Sequence, residues 1–208
     1  MRTTKTQSSI HVNYSGRRIT LSRENRKLGH IPSFSFPPVV TCRPKAPCAR
    51  SCYAQKAMRL FPSARKAWQR NLRAYRADPV TFWKAFSAGL EVLRPSFFRF
   101  MVSGDIPDRS FLKGILGLAR AFPKTRFLLF TKQYSFVSRV KPPANLQIIL
   151  SAWPGLRLPR SPRFPIAYMQ DGSETRAAGA LECPGNCESC GVCWQLGKTG
   201  RNVVFAKH

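Results

Sequence analysis

The stretch FFRFMVSGDIPDRSFLKGILGLARAFPKTRFLLFT, residues 97–131, predicts the class of fold. It contains an apolar segment at 97–103, a segment with helical apolar spacing at 109–122 and a second apolar segment at 126–131. Short, nearly continuous apolar segments are typical of strands that are buried on both faces of a sheet. A strand, a helix and another strand in this order form a parallel βαβ unit, so we expect an α/β fold.

The rest of the chain continues this alternation. Further strands are predicted in SFSFPPVV, LQIILSA, FPIAYMQ and NVVFA, at residues 33–40, 146–152, 164–170 and 202–206. Helices are predicted from Pro62, from Asp78 as the N-cap with Pro79 as the first helical residue, and at 133–140. About six mostly parallel strands predict a partial (β/α) barrel or a doubly wound sheet, since 208 residues are too few for a complete eight-unit barrel.

Three regions are expected along the chain. Residues 1–30 form a basic N-terminal arm, residues 31–175 the α/β core, and residues 176–208 a cysteine-rich, metal-binding segment that returns a strand to the core. No apolar stretch approaches the about 18–20 residues of a helical membrane span, so no membrane partner is expected. An odd number of cysteines, seven, without an export signal indicates a reducing, cytoplasmic compartment, where clustered cysteines more often bind metal.

The charge balance is strongly basic. Lys and Arg number 35 against 9 Asp and Glu, which gives a formal net charge of +26. No acid occurs between Glu24 and Asp78 or between Asp108 and Asp171. Such a chain repels itself unless anions screen it, and nucleic-acid phosphate is the commonest screening partner, so RNA or DNA is the expected partner. A generally basic proteome or adaptation to high salt is the alternative explanation.

Three cations at helical spacing, Lys66, Arg70 and Arg73, are the candidate nucleic-acid ligands. Like charges at this spacing repel one another by about 0.2–0.5 kcal/mol per pair unless an anion lies along them. A solvated helix face is the usual explanation of a run of charges. The absence of any acid in the neighbouring sequence favours an anionic partner instead.

The cysteines fall into two groups, which we call the three-cysteine loop and the four-cysteine group. The loop has the spacing C-x5-C-x3-C, and the group has the spacing C-x3-C-x2-C-x2-C. Their members are, respectively, Cys42, Cys48 and Cys52, and Cys183, Cys187, Cys190 and Cys193. Thiolates at such short spacings can converge on one metal ion or cluster.

The two groups differ in the number of ligands that they offer. The four-cysteine group has enough thiols to close a zinc site or a [4Fe–4S] cluster, and its compact spacing with Pro184 beside a cysteine favours the cluster. In the three-cysteine loop, either His30 or His11 supplies a fourth ligand or one metal position stays open. An open position is typical of a catalytic metal site. Two structural zinc sites are the alternative for the whole set.

Polar residues stand at the ends of several predicted strands. They are Ser103, Gly104 and Asp105, then Thr131 and Lys132, then Ser151, then Asp171. Because the carboxyl ends of parallel strands meet at one edge of a sheet, we expect a shared ligand site there, opposite the three-cysteine loop. Ordinary turn chemistry explains any one of these residues alone.

Together these features resemble the radical S-adenosylmethionine (SAM) superfamily, and more closely the phage and plasmid "gene product 88" family, a compact relative of it. The resembling stretches are FSFPPVVTCRPKAPCARSCYAQKA, RFMVSGDIPD, LLFTKQ and the tail CPGNCESCGVCW with VVFAKH. They follow one another in order over roughly residues 31–208. Two departures from the superfamily pattern are the C-x5-C-x3-C spacing in place of C-x3-C-x2-C, and Ser-Gly-Asp in place of Gly-Gly-Glu.

The resemblance implies roles for the candidate residues. Cys42, Cys48 and Cys52 would hold a [4Fe–4S] cluster whose open iron binds SAM. Ser103, Gly104 and Asp105 would receive the SAM amino group, Ser151 would contact the ribose, and Asp171 would lie on the same rim. The four-cysteine group would hold an auxiliary cluster or a structural metal. The expected function is therefore a radical-SAM-type iron–sulfur enzyme that acts on or along nucleic acid. The alternative is a non-catalytic nucleic-acid-binding protein with structural zinc or iron–sulfur sites.

Overall fold

The computed structural model describes residues 1–6, 8–170 and 179–206. Within these ranges the chain forms one ten-stranded sheet and seven α-helices. The strands are β1 (Arg2–Lys5), β2 (Ser9–Tyr14), β3 (Arg17–Ser22), β4 (Ser33–Phe34), β5 (Phe97–Phe100), β6 (Arg126–Thr131), β7 (Leu146–Ser151), β8 (Ile166–Gln170), β9 (Leu181–Glu182) and β10 (Val203–Ala206). The helices are α1 (Tyr53–Leu60), α2 (Pro62–Ala77), α3 (Pro79–Leu93), α4 (Arg109–Ala121), α5 (Tyr134–Val137), α6 (Cys187–Cys190) and α7 (Leu196–Thr199).

The sheet is open and mostly parallel. Its spatial order is β1-β2-β3-β4-β5-β6-β7-β8-β10-β9, and the described strands do not close into a barrel. β1 to β4 pair antiparallel, and all pairs from β4 to β9 are parallel. The expected α/β class with mostly parallel strands is confirmed. The expected number of strands, about six, is too low, because β1, β2, β3 and β9 were not predicted.

Residues 1–30 differ from the expected basic arm, because they contribute three strands to the sheet. Ile10 and Val12 on β2, and Ile19 and Leu21 on β3, are fully buried. These apolar residues alternate with polar ones, so every second side chain of each strand faces the core. Each strand carries only two of these core residues, which is a short alternating pattern. The basic composition of residues 1–30 made this pattern hard to detect in the sequence.

The start of α3 follows its predicted cap. The Asp78 side chain accepts a hydrogen bond from Thr81 N at 3.0 Å, and Pro79 is the first residue of α3, as predicted. Asp108 caps α4 in the same way through Phe111 N at 2.8 Å. Among the helices described, none combines the length and apolar character needed to cross a bilayer.

The two faces of the sheet are covered by different parts of the chain. On the helical face, α2, α3 and α4 pack over an aromatic core that includes Phe127 of β6. On the opposite face, which we call the cysteine face, the C-terminal segment packs Trp194 and Leu196 over Leu128 of the same strand. The strand predicted at 202–206 is β10, which lies between β8 and β9. The C-terminal segment thus both extends the sheet and covers one face of it.

Candidate functional site

The three-cysteine loop leaves β4 at the carboxyl edge of the parallel strands and rests on the turn that follows β5. Phe36 N donates a hydrogen bond to Ser103 O at 3.2 Å. The Thr41 hydroxyl donates to Pro37 O at 3.0 Å and accepts from Asp105 N at 3.2 Å. These bonds hold the start of the loop against the Ser-Gly-Asp turn, as expected for a shared edge.

Gly104 makes this close approach possible. A Cβ atom at this position would lie 2.5 Å from Thr41 Oγ1 and 3.0 Å from Phe36 O. The residue also has φ +74°, which glycine adopts more readily than residues with a side chain. Both observations require glycine at the place where the loop crosses the turn.

The backbone of the loop brings an N–H group onto one sulfur. Val39 has φ +67° and Lys45 has φ +55°, both in the left-handed region. For a β-branched residue such as Val39 this conformation is a genuine outlier, with a cost of about 1–3 kcal/mol. In this conformation Val39 N donates to Cys42 Sγ at 3.3 Å.

The pKa of Cys42 is shifted by the other two thiols of the loop and by the carboxylate of Asp105. Burial raises the pKa of Cys42 to about 11, the N–H of Val39 opposes this shift, and Asp105, Cys48 and Cys52 add to it. Burial also raises the pKa of Cys48, and the Lys132 ammonium opposes that shift. Without a metal, the Cys42 thiol is therefore protonated at neutral pH.

The three sulfurs of the loop lie near one another but are not arranged as a metal-coordination site. Within the described ranges, no three His, Cys, Asp or Glu side chains are arranged so that they could hold a metal ion as they stand. Neither candidate for a fourth ligand lies with the loop: His11 Nδ1 is 3.1 Å from Thr20 Oγ1 on β3, and His30 Nδ1 is 3.1 Å from Glu188 Oε1. The sulfurs are thus neighbours, and binding a metal requires their side chains to move.

Asp105 ties the ends of β5 and β6 together. The residue is 5% exposed, and Oδ1 accepts hydrogen bonds from Thr131 Oγ1 at 2.6 Å and from Ile106 N at 2.8 Å. Oδ2 accepts from Lys132 N at 2.7 Å. Burial raises the pKa of Asp105, and these three donors oppose the shift. Both carboxylate oxygens are therefore engaged within the protein.

The remaining strand-end candidates lie on the same edge where they are described. Ser151 O accepts a hydrogen bond from the hydroxyl of Tyr134, and the guanidinium carbon of Arg43 lies 5.6 Å from the centre of the Tyr134 ring. This chain of contacts connects the end of β7 to the three-cysteine loop. The hydroxyl of Ser103 is buried and has no hydrogen-bond partner among the described residues. Asp171 lies outside the described residues.

The four-cysteine group is built on α6 and the 3₁₀ turn Val192–Trp194. The Asn186 side chain caps α6 by accepting from Glu188 N at 3.1 Å and from Ser189 N at 3.3 Å, and Gly191 ends it in the left-handed conformation. Burial raises the pKa of Cys193 to about 12, Arg99 opposes this shift, and the other three cysteines of the group add to it. The four thiols thus share one electrostatic environment.

The four-cysteine group docks on the segment that connects β3 to β4. Cys187 N donates to Lys27 O at 2.9 Å, and His30 N donates to Glu188 Oε2 at 3.2 Å. A Cβ atom on Gly29 would lie 1.9 Å from Glu188 Oε2, so only glycine leaves room for this contact. His30 is therefore occupied with the four-cysteine group.

The candidate nucleic-acid ligands lie on α2 beside the β2–β3 hairpin. Lys66 and Arg73 are exposed, and Arg70 donates to Thr20 Oγ1 at 3.5 Å. Burial and the neighbouring guanidinium groups of Arg18 and Arg73 lower the pKa of Arg70. Considering the described residues alone, no carboxylate oxygen lies within 4.0 Å of these cations, and the ion pairs formed are those of His30 with glutamates. We call Arg18, Lys66, Arg70 and Arg73 the basic surface.

A pocket of about 390 Å³ adjoins the three-cysteine loop at the start of α1. Cys52 and Tyr53 line it together with three cations, Arg50, Lys56 and Arg59. A positively charged pocket directly beside a cysteine ligand candidate is suited to an anionic group.

Some residues of the site were not singled out from the sequence. Thr41 and Tyr134 carry no signal, because their roles depend on contacts with distant strand ends. Arg99 does carry a signal, since it is the one charged residue in the buried strand FFRF. Arg18 belongs to the N-terminal region that was expected to lie outside the core.

Comparison with known proteins supports one assignment. No curated protein and no solved structure matches the chain. The family model described as "Gene product 88" matches residues 4–155. The match begins in β1 and ends just beyond β7, so it includes the three-cysteine loop and the Ser-Gly-Asp turn but not the four-cysteine group. The tail CPGNCESCGVCW with VVFAKH, which also carried the resemblance, lies outside the match. With most of its length matched, including the loop and the turn, the chain belongs to the gene product 88 family.

Proposed function

We propose that the protein is an iron–sulfur protein related to the radical SAM enzymes, and that it acts on or along nucleic acid. In this proposal the three-cysteine loop carries a [4Fe–4S] cluster with one open iron position. The observation that carries the proposal is the grouping of Cys42, Cys48 and Cys52 with Asp105 at the carboxyl edge of the parallel strands. In α/β folds this edge is the usual place of ligand binding.

The donor set of the loop fits such a cluster in its chemistry. Sulfur ligands without histidine suit iron–sulfur clusters and zinc. Burial raises the pKa of Cys42, so a metal that binds the loop at neutral pH has to displace the proton of this thiol. A bound [4Fe–4S] cluster would supply a one-electron donor and an iron with a free position for SAM.

The other residues of the edge would position the loop and the ligand. Asp105 fixes the turn through its three hydrogen bonds, so its part is to hold the edge in place. Lys132 lies where it offsets negative charge at Cys48, and Arg43, next to Cys42 in the chain, packs over the Tyr134 ring. The buried hydroxyl of Ser103, which has no partner in the described chain, is the polar group left for a ligand.

The nucleic-acid part of the proposal rests on uncompensated charge. The basic surface lies on α2 and, through Arg18, on β3, and the cationic pocket beside Cys52 lies at the start of α1, the helix before α2. Phosphates along this path would neutralise cations that have no carboxylate partners among the described residues. A strand bound there would pass close to the three-cysteine loop.

Titration of the reduced, anaerobically reconstituted protein with SAM tests the proposal. The EPR signal of the three-cysteine cluster should change as SAM binds, and SAM should be cleaved. A Cys52→Ala variant is the matched control, and it should show neither effect while retaining the signal of the second cluster. If the EPR spectrum of the reconstituted wild-type protein does not change when SAM is added, the SAM part of the proposal is wrong.

The packing of the four-cysteine group favours a second candidate function. Trp194, directly after Cys193, donates its indole N–H to Arg126 O at 3.1 Å and stacks edge-on against Phe97, with ring centres 5.4 Å apart. A metal bound by the four-cysteine group would hold the C-terminal segment against the sheet and stabilise the fold, as structural metal sites do. The second candidate is therefore a non-catalytic nucleic-acid-binding protein with structural zinc or iron–sulfur sites. For this second candidate, the EPR signal should not change and SAM should not be cleaved in the same titration.

A further inference from the structure

Arg99 occupies an unusual place for a charged residue, since it lies in the middle of the sheet. It belongs to β5, and it is paired in register with Ser33 of β4 and Leu128 of β6. Its neighbours Phe98 and Phe100 are fully buried in the core of the helical face. Because side chains alternate along a strand, Arg99 projects onto the cysteine face, under the C-terminal segment.

The surroundings of Arg99 leave its charge without compensation. Its guanidinium carbon lies 4.6 Å from the centre of the Phe130 ring, and its Nε atom is buried with no hydrogen-bond partner in residues 1–6, 8–170 and 179–206. Within the part of the chain that the structure describes, no carboxylate lies within 4.0 Å of it. Arg99 is half-buried, so its guanidinium carries part of the cost of an unpaired buried charge unless an anion is close by.

The groups that face Arg99 from the C-terminal segment are sulfurs. Burial raises the pKa of Cys187 and of Cys193, and Arg99 is the cation that opposes both shifts most, with Lys27 adding to its effect at Cys187. Cys183, Cys187 and Cys193 pack against the same apolar cluster as Phe130. Protonated thiols are neutral, whereas a metal ion or cluster held by four thiolates carries net negative charge. The four-cysteine group in its metal-bound form would therefore supply the anion that Arg99 lacks.

We propose that Arg99 is the counter-cation of the four-cysteine group, and that this group binds its metal as an anionic, all-thiolate site. The inference rests on the proposed function in that the group binds a metal, but it holds for zinc as well as for an iron–sulfur cluster. Arg99 is a positioning residue for charge and is not itself a ligand.

Cobalt and zinc titrations test the inference in a chain whose Cys42, Cys48 and Cys52 are replaced by serine. Co²⁺ reports thiolate coordination by its absorption bands, and Zn²⁺ displaces it to give the affinity. We expect Arg99→Gln to weaken zinc binding about tenfold and Arg99→Lys to restore most of the affinity. Arg126→Gln is the matched control, because Arg126 is exposed at the start of β6 with its guanidinium carbon 5.8 Å from the Phe97 ring centre. This variant should bind zinc as the parent chain does.

Thermal unfolding separates this role from a merely structural one. In the metal-free protein Arg99→Gln should raise the melting temperature, because it removes an uncompensated charge, and in the zinc-bound protein it should lower it. A structural role would lower the melting temperature in both states. Equal zinc affinity in Arg99→Gln and Arg126→Gln, or a metal-free Arg99→Gln chain that does not fold, would overturn this inference and leave the proposed function standing. A parent chain that binds neither Co²⁺ nor Zn²⁺, with a wild type that binds no iron, would overturn both.

Discussion

At the scale of single residues, Gly104 controls how the three-cysteine loop meets the sheet. The loop passes so close to this residue that Thr41 Oγ1 would lie 2.5 Å from an added Cβ atom. The same glycine was noted in the sequence as part of a candidate ligand motif. Its position against the loop gives it a second reason to be glycine, which depends on packing and not on a ligand.

Replacing Gly104 with alanine should therefore destabilise the protein through both backbone strain and overpacking. Gly185→Ala is the matched control, since Gly185 has φ +83° but no atom of the described part of the chain lies within 4 Å of an added Cβ. We expect about 1–2 kcal/mol for Gly185→Ala and a further 1–3 kcal/mol, roughly, for Gly104→Ala. Urea unfolding of the metal-free variants measures both free energies. Equal losses in the two variants would show that the loop does not press on Gly104.

Other residues of the site show why sequence alone located the edge but not its bonds. Thr131 and Ser151 at strand ends, and Asp105 in the turn after β5, were predictable, because apolar strands are followed by polar residues. The bonds that organise them, such as Thr41 to Asp105, join residues 64 positions apart in the chain. Nothing in the local sequence specifies such pairs. Arg99, the lone arginine of β5, stands out in the sequence, but its surroundings depend on the C-terminal segment, which is distant in the chain and packs over this face of the sheet.

At the scale of elements, the N-terminal hairpin is where the sequence was most misleading. Strands β4 to β8 and β10 were predictable because each is a compact apolar segment. β2 and β3 instead alternate between apolar and basic or polar residues, and their pairing adds an antiparallel edge to a parallel sheet. The strong positive charge of residues 1–30 favoured an arm over two amphipathic strands.

A core substitution in this hairpin distinguishes a strand from an arm. Ile19→Ala should lower the free energy of unfolding by about 2–5 kcal/mol, because Ile19 is fully buried against α2 and α3. Arg17→Ala, on the exposed start of the same strand, should change it by less than about 0.5 kcal/mol. Chemical denaturation of both variants provides the comparison. If Ile19→Ala were as neutral as Arg17→Ala, the hairpin would not be part of the cooperative fold.

At the scale of the whole molecule, the basic surface and the sulfur groups are the two features that set this chain apart. The net charge of +26 is spread over the fold, but Arg18, Arg70 and Arg73 come together across two elements distant in sequence. A surface of this kind attracts phosphates by releasing counterions, so its contribution appears in the salt dependence of binding.

A triple variant, with Arg18, Arg70 and Arg73 changed to alanine, tests this surface. It should weaken binding to single-stranded RNA and to duplex DNA, and it should reduce the slope of log affinity against log salt by about 2–3. The matched control changes Lys113, Arg120 and Lys124 to alanine, three exposed cations of α4 and its end. Fluorescence anisotropy at several salt concentrations gives both slopes. If the two triple variants gave the same slope of log affinity against log salt, nucleic acid would not bind preferentially to the basic surface.

The most direct test of the central claim is the amount of iron and acid-labile sulfide bound per chain, after purification and reconstitution without oxygen. The two cysteine groups predict about eight iron atoms for the wild type, and about four each for Cys52→Ala and Cys190→Ala. The sulfide should follow the iron in each case. Zinc bound in stoichiometric amount, with no iron in any of the three proteins, would contradict the account.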